Sequence, residues 1–197
     1  AMTSAAACFA QDTKKDFAGE IYVAGVVHEE CFEGVAAREI SKQVQPDYVV
    51  IGEASQLNIK IGQRGRAEIV IETFGKPCHS ANPEKGINAV YKMAKVIEAI
   101  RALEPTHHPV LGDGILELTD IKSAPYPGAS VVPEYCRATY DRRLLVGETK
   151  DSVLAPIVQL LEKLMAEDPQ LKVKASYAVG REKCHTGNEI EGERFFP

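Results

Sequence analysis

From residue 60 onward the apolar positions change period in a fixed order. Ala67 to Phe74 (AEIVIETF) alternates as a half-exposed strand does, and Asn88 to Leu103 sets Ala89, Met93, Ile97 and Ile100 on one helical stripe. Ile115 to Ile121 then reads as a strand and Val131 to Leu145 as a long one. Val153 to Met165 reads as an amphipathic helix with Thr149 as its N-cap, and Leu171 to Tyr177 as a last strand. The order β-α-β-β-α-β predicts a ferredoxin-like domain, with two helices over one face of a four-stranded antiparallel sheet. Pro156 falls inside the second helix, which predicts either a start one turn later or a bend there.

The first sixty residues carry a different pattern. Residues 1 to 14 are Ala-rich with no N-cap before Ala1, as if the chain opened inside a helix. Ile21 to Val27 (IYVAGVV) and Tyr48 to Ile51 (YVVI) are nearly continuous apolar runs, the pattern of strands covered on both faces in a parallel sheet. A helix over Gly34 to Lys42 connects them by a right-handed crossover. Two such strands make an incomplete sheet. The fold class expected is therefore α/β: part of an α/β layer in residues 1–59, an inserted ferredoxin-like domain in 60–178, and a segment 179–197 returning to the first layer. That last segment is polar and turn-rich and ends in Phe195-Phe196-Pro197, which has nothing local to pack on.

Composition narrows the function classes. With 197 residues, 45% of them hydrophobic, the chain can bury one good core or two small ones, which excludes disordered and fibrous readings. A net charge of -5 offers no pull toward nucleic acid or an anionic membrane. No apolar run approaches a membrane span, and Lys14, Lys15, Asp16 and Glu20 interrupt any signal-like stretch, so a cytoplasmic protein is expected. Five scattered cysteines without a C-x-x-C pair point to small buried hydrophobes, not disulfides or a zinc knuckle.

Three places hold residues capable of chemistry. His28-Glu29-Glu30 and Gly52-Glu53 directly follow the two apolar runs, so Glu29, Glu30 and Glu53 meet where α/β sheets bind ligands. Three carboxylates there suit a cation, with one of Glu29 and Glu30 holding it and the other accepting a proton. The competing reading is a solvated acidic loop, because zinc prefers imidazole and none with ligand spacing is near. His79 sits in the loop Lys76-Pro77-Cys78-His79-Ser80-Ala81 between two restraining prolines, as a held side chain or a plain surface residue. In Asp141-Arg142-Arg143 alternation sends one arginine to each face, to bind a carboxylate or to pair with Asp141. His107-His108 reads as a loop without function.

The runs GVVHEE, PDYVVIGEAS, GQRGRAEIVIETFGKPCHSANPEKGINAV and SVVPEYCRATYDRRLLVGET, in that order, resemble the M20 family of dinuclear zinc peptidases and amidohydrolases. The family includes aminoacylases, carboxypeptidase G, acetylornithine deacetylase and succinyl-diaminopimelate desuccinylase. The similarity runs through nearly all of the chain, and within the family the chain looks most like the bacterial YgeY-type hydrolases. The resemblance implies a zinc-peptidase-like catalytic layer carrying a lid and dimerisation domain. By position it makes Glu29 the general base, Glu30 and Glu53 ligands of two zinc ions, and His79 the lid histidine that polarises the scissile carbonyl in the partner subunit's site. Arg143 matches the arginine that contacts a substrate carboxylate, and Ser130 stands where many members have an asparagine, a departure that puts that substrate contact in doubt.

The activity implied is cleavage of an amide bond in a dipeptide or N-acyl amino acid. The partners implied are that small molecule and a second copy bound through the lid, with no nucleic acid and no membrane. The family's His-x-Asp motif, bridging Asp and last His ligand are not among these residues. His185-Thr186-Gly187-Asn188-Glu189 is superficially like the last ligand motif but comes too early in the order of elements. The chain is thus expected to be an interior segment that is inactive alone and binds zinc poorly. The alternatives are a non-catalytic ferredoxin-like dimerisation module and an RNA-binding domain, the latter disfavoured by Glu68 and Glu72 on the first sheet strand.

Overall fold

Alanine-rich sequence favours helix, and in the computed structural model α1 spans Met2–Asp12. The structure describes residues 2–14, 16–30, 32–183 and 186–197. The chain divides into two compact units, Ala1–Ile61 and Gly62–Pro197. In the first, α2 (Val35–Val44) starts after Gly34 in a left-handed conformation and ends where the Gln45 N–H bonds the Ser41 carbonyl. The strands expected at Ile21–Val27 and Tyr48–Ile51 are not formed. Tyr48 and Val50 are 93% and 86% exposed. A run that is apolar at every position becomes a strand only with pairing at its edges and cover on both faces, and the described residues of this unit provide neither.

The second unit contains the ferredoxin-like domain. In β1 (Gly65–Phe74) alternation buries Ala67, Ile69, Ile71 and Thr73 completely and turns Arg66, Glu68 and Glu72 to the opposite face. Asn88 caps α3 (Ala89–Arg101), its side chain accepting from the Val90 and Tyr91 N–H groups. A small hairpin, β2 (His107–His108) with β3 (Gly112–Asp113), stands where the sequence suggested a loop. Next come β4 (Ile115–Ala124) and β5 (Tyr135–Leu144), which is shorter than the expected 131–145. Helix α4 (Lys150–Glu167) opens on a reciprocal Thr149–Ser152 capping box and continues past Pro156, so the expected late start is not found. With β6 (Lys172–Tyr177) the sheet order is β4-β5-β1-β6, antiparallel throughout, which is the ferredoxin-like arrangement.

Both helices pack on one face. Met93, Val96 and Ile100 of α3 and Ile157, Leu161 and Leu164 of α4 close over Ile69, Ile71, Ala138, Tyr140 and Val173. Each such aliphatic side chain contributes roughly 1.5–3 kcal/mol when fully buried, so this face holds the domain together. Cys136 is buried here, whereas Cys78 is half-buried and Cys8 exposed, so buried cysteine is not the rule among the described residues. Cys31 and Cys184 lie outside them. Among the described residues no helix is long and apolar enough to cross a membrane.

The tail is regular, not irregular. After β6, Ala178 donates to the Glu68 carbonyl, and Arg194 donates to the Ala178 carbonyl while its own carbonyl accepts from Glu68 N–H. Between those two residues rises a hairpin, β7 (Val179–Lys183) with β8 (Glu189–Glu193). Beyond the neck, β9 (Phe195–Phe196) pairs with Arg66 and Ala67, continuing the line of β6 along β1. Phe195 packs edge-on against Tyr177 with ring centres 5.3 Å apart. These aromatics, which have nothing local to pack on, find distant partners instead: the start of β1 had an open edge, and β9 fills it.

Candidate active site

Glu29 and Glu30 lie in a turn and Glu53 in a stretch without regular secondary structure, all exposed. The Glu29 carboxyl is raised above its ordinary value, first by loss of surrounding water and then by repulsion from Glu30, Glu33 and Glu53. Glu30, Glu53 and also Glu33, which the sequence reading missed, are thus within electrostatic reach of Glu29. The only sequence signal of Glu33 is a further acid just after a Glu-Glu pair. Among the described residues, no group of three or more His, Cys, Asp or Glu is arranged to hold a metal ion. Two glutamates without imidazole are a poor zinc donor set, so these residues do not fit a two-zinc centre by themselves. His185 lies outside the described residues.

His79 and Ser130 are brought together. The loop after β1 closes on itself through reciprocal Lys76–Ile87 backbone bonds of 2.9 Å. It then pairs with the segment before β5: His79 bridges Val131, Ser80 N–H donates to the Ser130 carbonyl at 2.8 Å, and Val132 N–H to the Cys78 carbonyl at 2.8 Å. Two glycines permit the approach, since a Cβ on Gly75 would collide with the Ile87 carbonyl and one on Gly86 with the Cys78 thiol and the Lys76 carbonyl. The His79 ring is exposed, and its Nδ1 accepts from Ala81 N–H at 3.1 Å.

Arg143 belongs to the helix-free face of the sheet. Asp141 there accepts from Arg66 Nε at 2.6 Å and from Arg143 Nε at 2.7 Å, one carboxylate between two guanidiniums. Further along the same face, Glu68 pairs with Arg194 at 3.0 Å, and Glu72 pairs with Lys174 at 2.9 Å and accepts from the Tyr135 hydroxyl. Burial alone would raise Glu72, but the bonds from Tyr135 and Lys174 and the charges of Lys174 and Arg137 outweigh it, and its carboxyl is lowered. Tyr135 is pushed up to about 12, by burial first and then by Glu72. Arg142, on the opposite face, is 8% exposed and tied to Glu148. The expected division of the two arginines between faces is what the alternation produces.

The candidates in this domain do not share one place. Arg143 stands opposite Arg66, at the start of β1, while the His79 and Ser130 loops leave from the other end, where Phe74 stands opposite Tyr135. Eight residues of β5 separate those ends, which at about 3.4 Å per residue is roughly 27 Å.

The M20 family of peptidase dimerisation domains matches residues 61–169. The uncharacterized protein YgeY of Escherichia coli strain K12 is 34% identical over 141 residues, covering 70% of this chain and 35% of that protein. The succinyl-diaminopimelate desuccinylase of Sphingopyxis alaskensis is 30% identical over 146 residues, covering 68% of this chain and 36% of the enzyme. Among solved structures, the aminobenzoyl-glutamate utilization protein from Klebsiella pneumoniae aligns with a TM-score of 0.46 at 17% identity, covering 57% of this chain and 28% of that one. The chain spans about a third of the length of the curated relatives it matches.

Proposed function

Since the chain belongs to the M20 peptidase family through its dimerisation domain, we propose that it is the lid and a slice of the catalytic layer of a hydrolase cleaving an amide bond in a dipeptide or N-acyl amino acid. In this reading Glu29 takes the proton of the attacking water and delivers it to the leaving amine, a role worth on the order of 10²- to 10⁴-fold. A carboxylate raised first by loss of surrounding water and then by its acidic neighbours is better matched to that task than an ordinary one. His79 donates to the carbonyl oxygen as charge develops on it, worth roughly 3–4 kcal/mol. Arg143 receives the substrate carboxylate, and Ser130 borders the His79 loop. Glu30 and Glu53 are assigned as carboxylate ligands of zinc in the whole protein, with the imidazoles coming from residues other than these.

The observation that carries the reading is the span of roughly 27 Å between the two ends of the sheet. One small substrate touches both His79 and Arg143 only if they come from different copies of the chain. That is the arrangement of a homodimer with composite sites, and it gives a lid domain a reason to dimerise.

The test mixes two inactive variants of the whole protein, Glu29→Ala and His79→Ala. With free exchange half the dimers are mixed and each has one complete site, so about a quarter of wild-type turnover should return. No recovery despite verified exchange refutes the composite site. A Glu29→Ala protein that still turns over amide substrates at the wild-type rate refutes Glu29 as the general base, whereas a whole protein that turns over no amide substrate sinks the hydrolase role and leaves the domain as a dimerisation module.

A further inference from the structure

The His79 ring is held from one side only. Its Nδ1 accepts from Ala81 N–H at 3.1 Å, and among the described residues nothing hydrogen-bonds Nε2. The donor cannot swing away, because the turn carrying it is bonded all round. Ser80 N–H is spent on the Ser130 carbonyl at 2.8 Å, Asn82 N–H on the His79 carbonyl at 2.9 Å, and the Cys78 thiol on the Asn82 carbonyl at 3.3 Å. A neutral imidazole has one donor nitrogen and one acceptor. With Nδ1 occupied as acceptor, the proton belongs on Nε2.

We propose that the backbone N–H of Ala81 is a positioning group that commits neutral His79 to the Nε2–H form, so that its free edge meets ligands as a hydrogen-bond donor to oxygen and not as a base or a metal ligand. This rests on the reading of His79 given above and deepens it: the group presented by the lid suits the oxygen of a carbonyl or carboxylate. Ala81 acts through the imidazole and touches no substrate itself.

Two other histidines supply internal references. His108 Nδ1 accepts from Val110 N–H at 3.2 Å and Leu111 N–H at 3.1 Å, which dictates the same form as at His79. His107 Nδ1 faces the Asp113 carboxylate at 2.6 Å, and an ionised carboxylate only accepts, so there the proton sits on Nδ1.

The test is a long-range proton–nitrogen NMR spectrum of the ¹⁵N-labelled chain, recorded above the imidazole titration range, with His79 assigned by its loss in His79→Gln. His79 and His108 should show an unprotonated Nδ1 and a protonated Nε2, and His107 a protonated Nδ1. Ala81→Pro, which removes the donor, should lower the Nε2–H to Nδ1–H ratio at His79 on the order of tenfold, leaving the references unchanged. A protonated or evenly mixed Nδ1 at His79 in the unaltered chain overturns the proposal, as does an unchanged ratio in Ala81→Pro. If that variant fails to fold, the spectrum of the unaltered chain decides alone. Should His79→Ala leave turnover of the whole protein intact while the spectrum is as expected, the hydrolase role of His79 falls and the ring assignment stands.

Discussion

Removing Glu148 should damage this fold more than removing any exposed charge. Its side chain and that of Arg142 are only 12% and 10% exposed. One Glu148 oxygen accepts from Arg142 and from the Thr106 hydroxyl at 2.8 Å, and the other from Leu145 N–H at 2.8 Å. The cluster joins three stretches of chain: the end of β5, the turn entering α4, and the arm around Thr106, whose carbonyl accepts from Gly114 N–H. Glu148→Ala leaves Arg142 with the Thr106 hydroxyl at 3.1 Å and the Ile115 carbonyl at 3.3 Å and no counter-charge. Stranding a buried charge in this way costs about 3–5 kcal/mol, whereas replacing both partners by apolar residues of similar volume is close to neutral. Urea unfolding followed by far-UV circular dichroism should therefore show a midpoint lowered by roughly 1–3 M for Glu148→Ala. Arg142→Met combined with Glu148→Leu should recover most of the loss. The reasoning fails if the single variant costs under about 1 kcal/mol, the range of exposed pairs, or if the double variant is as unstable as the single.

Two further outcomes follow from local geometry. Glu72 has a lowered carboxyl, so its stabilisation is present above the ordinary value of 4.5 and is lost as pH falls through the lower folded value; Glu72→Gln should flatten the fall in stability below that pH, and an unaltered acid limb would refute it. Gly75→Ala drives a Cβ into the Ile87 carbonyl and should open the Lys76–Ile87 bridge at a cost of about 1–3 kcal/mol, read as faster hydrogen exchange at those two amides.

The ferredoxin-like domain was legible because its apolar positions keep strict periods over whole elements. The errors at its margins have identifiable causes. Strand β4 runs on past Ile121 because the register shifts between Leu118 and Asp120, and the phase reverses where the pattern seemed to end. Val131 and Val132 look like strand residues, yet they pair with the His79 loop, and Pro133 has no N–H to extend a ladder. The β7–β8 hairpin was invisible because cross-strand charge, such as Arg181 with Glu191 at 2.9 Å, replaces the apolar alternation a reader looks for. The apolar runs of the first unit announced strands whose pairing depends on partners that no local pattern encodes. Within the candidate site, Glu29, Glu30, Glu53 and His79 were visible as residue types, but Ala81 was not, because its contribution is a backbone N–H.

Arg142 and Arg143 show how position divides one chemistry between two roles. Adjacent residues on a strand point to opposite faces, so a guanidinium at 142 is driven among the packed elements while its neighbour reaches the helix-free face. There its side chain is 45% exposed and, among the described residues, only its Nε is engaged, by Asp141. The first is committed: its nitrogens are bound to Glu148, Thr106 and the Ile115 carbonyl, and any change there acts on the fold before it acts on a ligand. The second keeps its terminal nitrogens on the open face, pre-oriented by a carboxylate that also holds Arg66 at 2.6 Å. Lost activity on substitution of Arg142 is therefore a report on stability, and of the two only Arg143 stands where the recognition role proposed for it could be read. The same logic separates Asp141 from Glu148: both are arginine partners, but Asp141 orients an exposed side chain that a ligand can reach, and Glu148 neutralises one that it cannot.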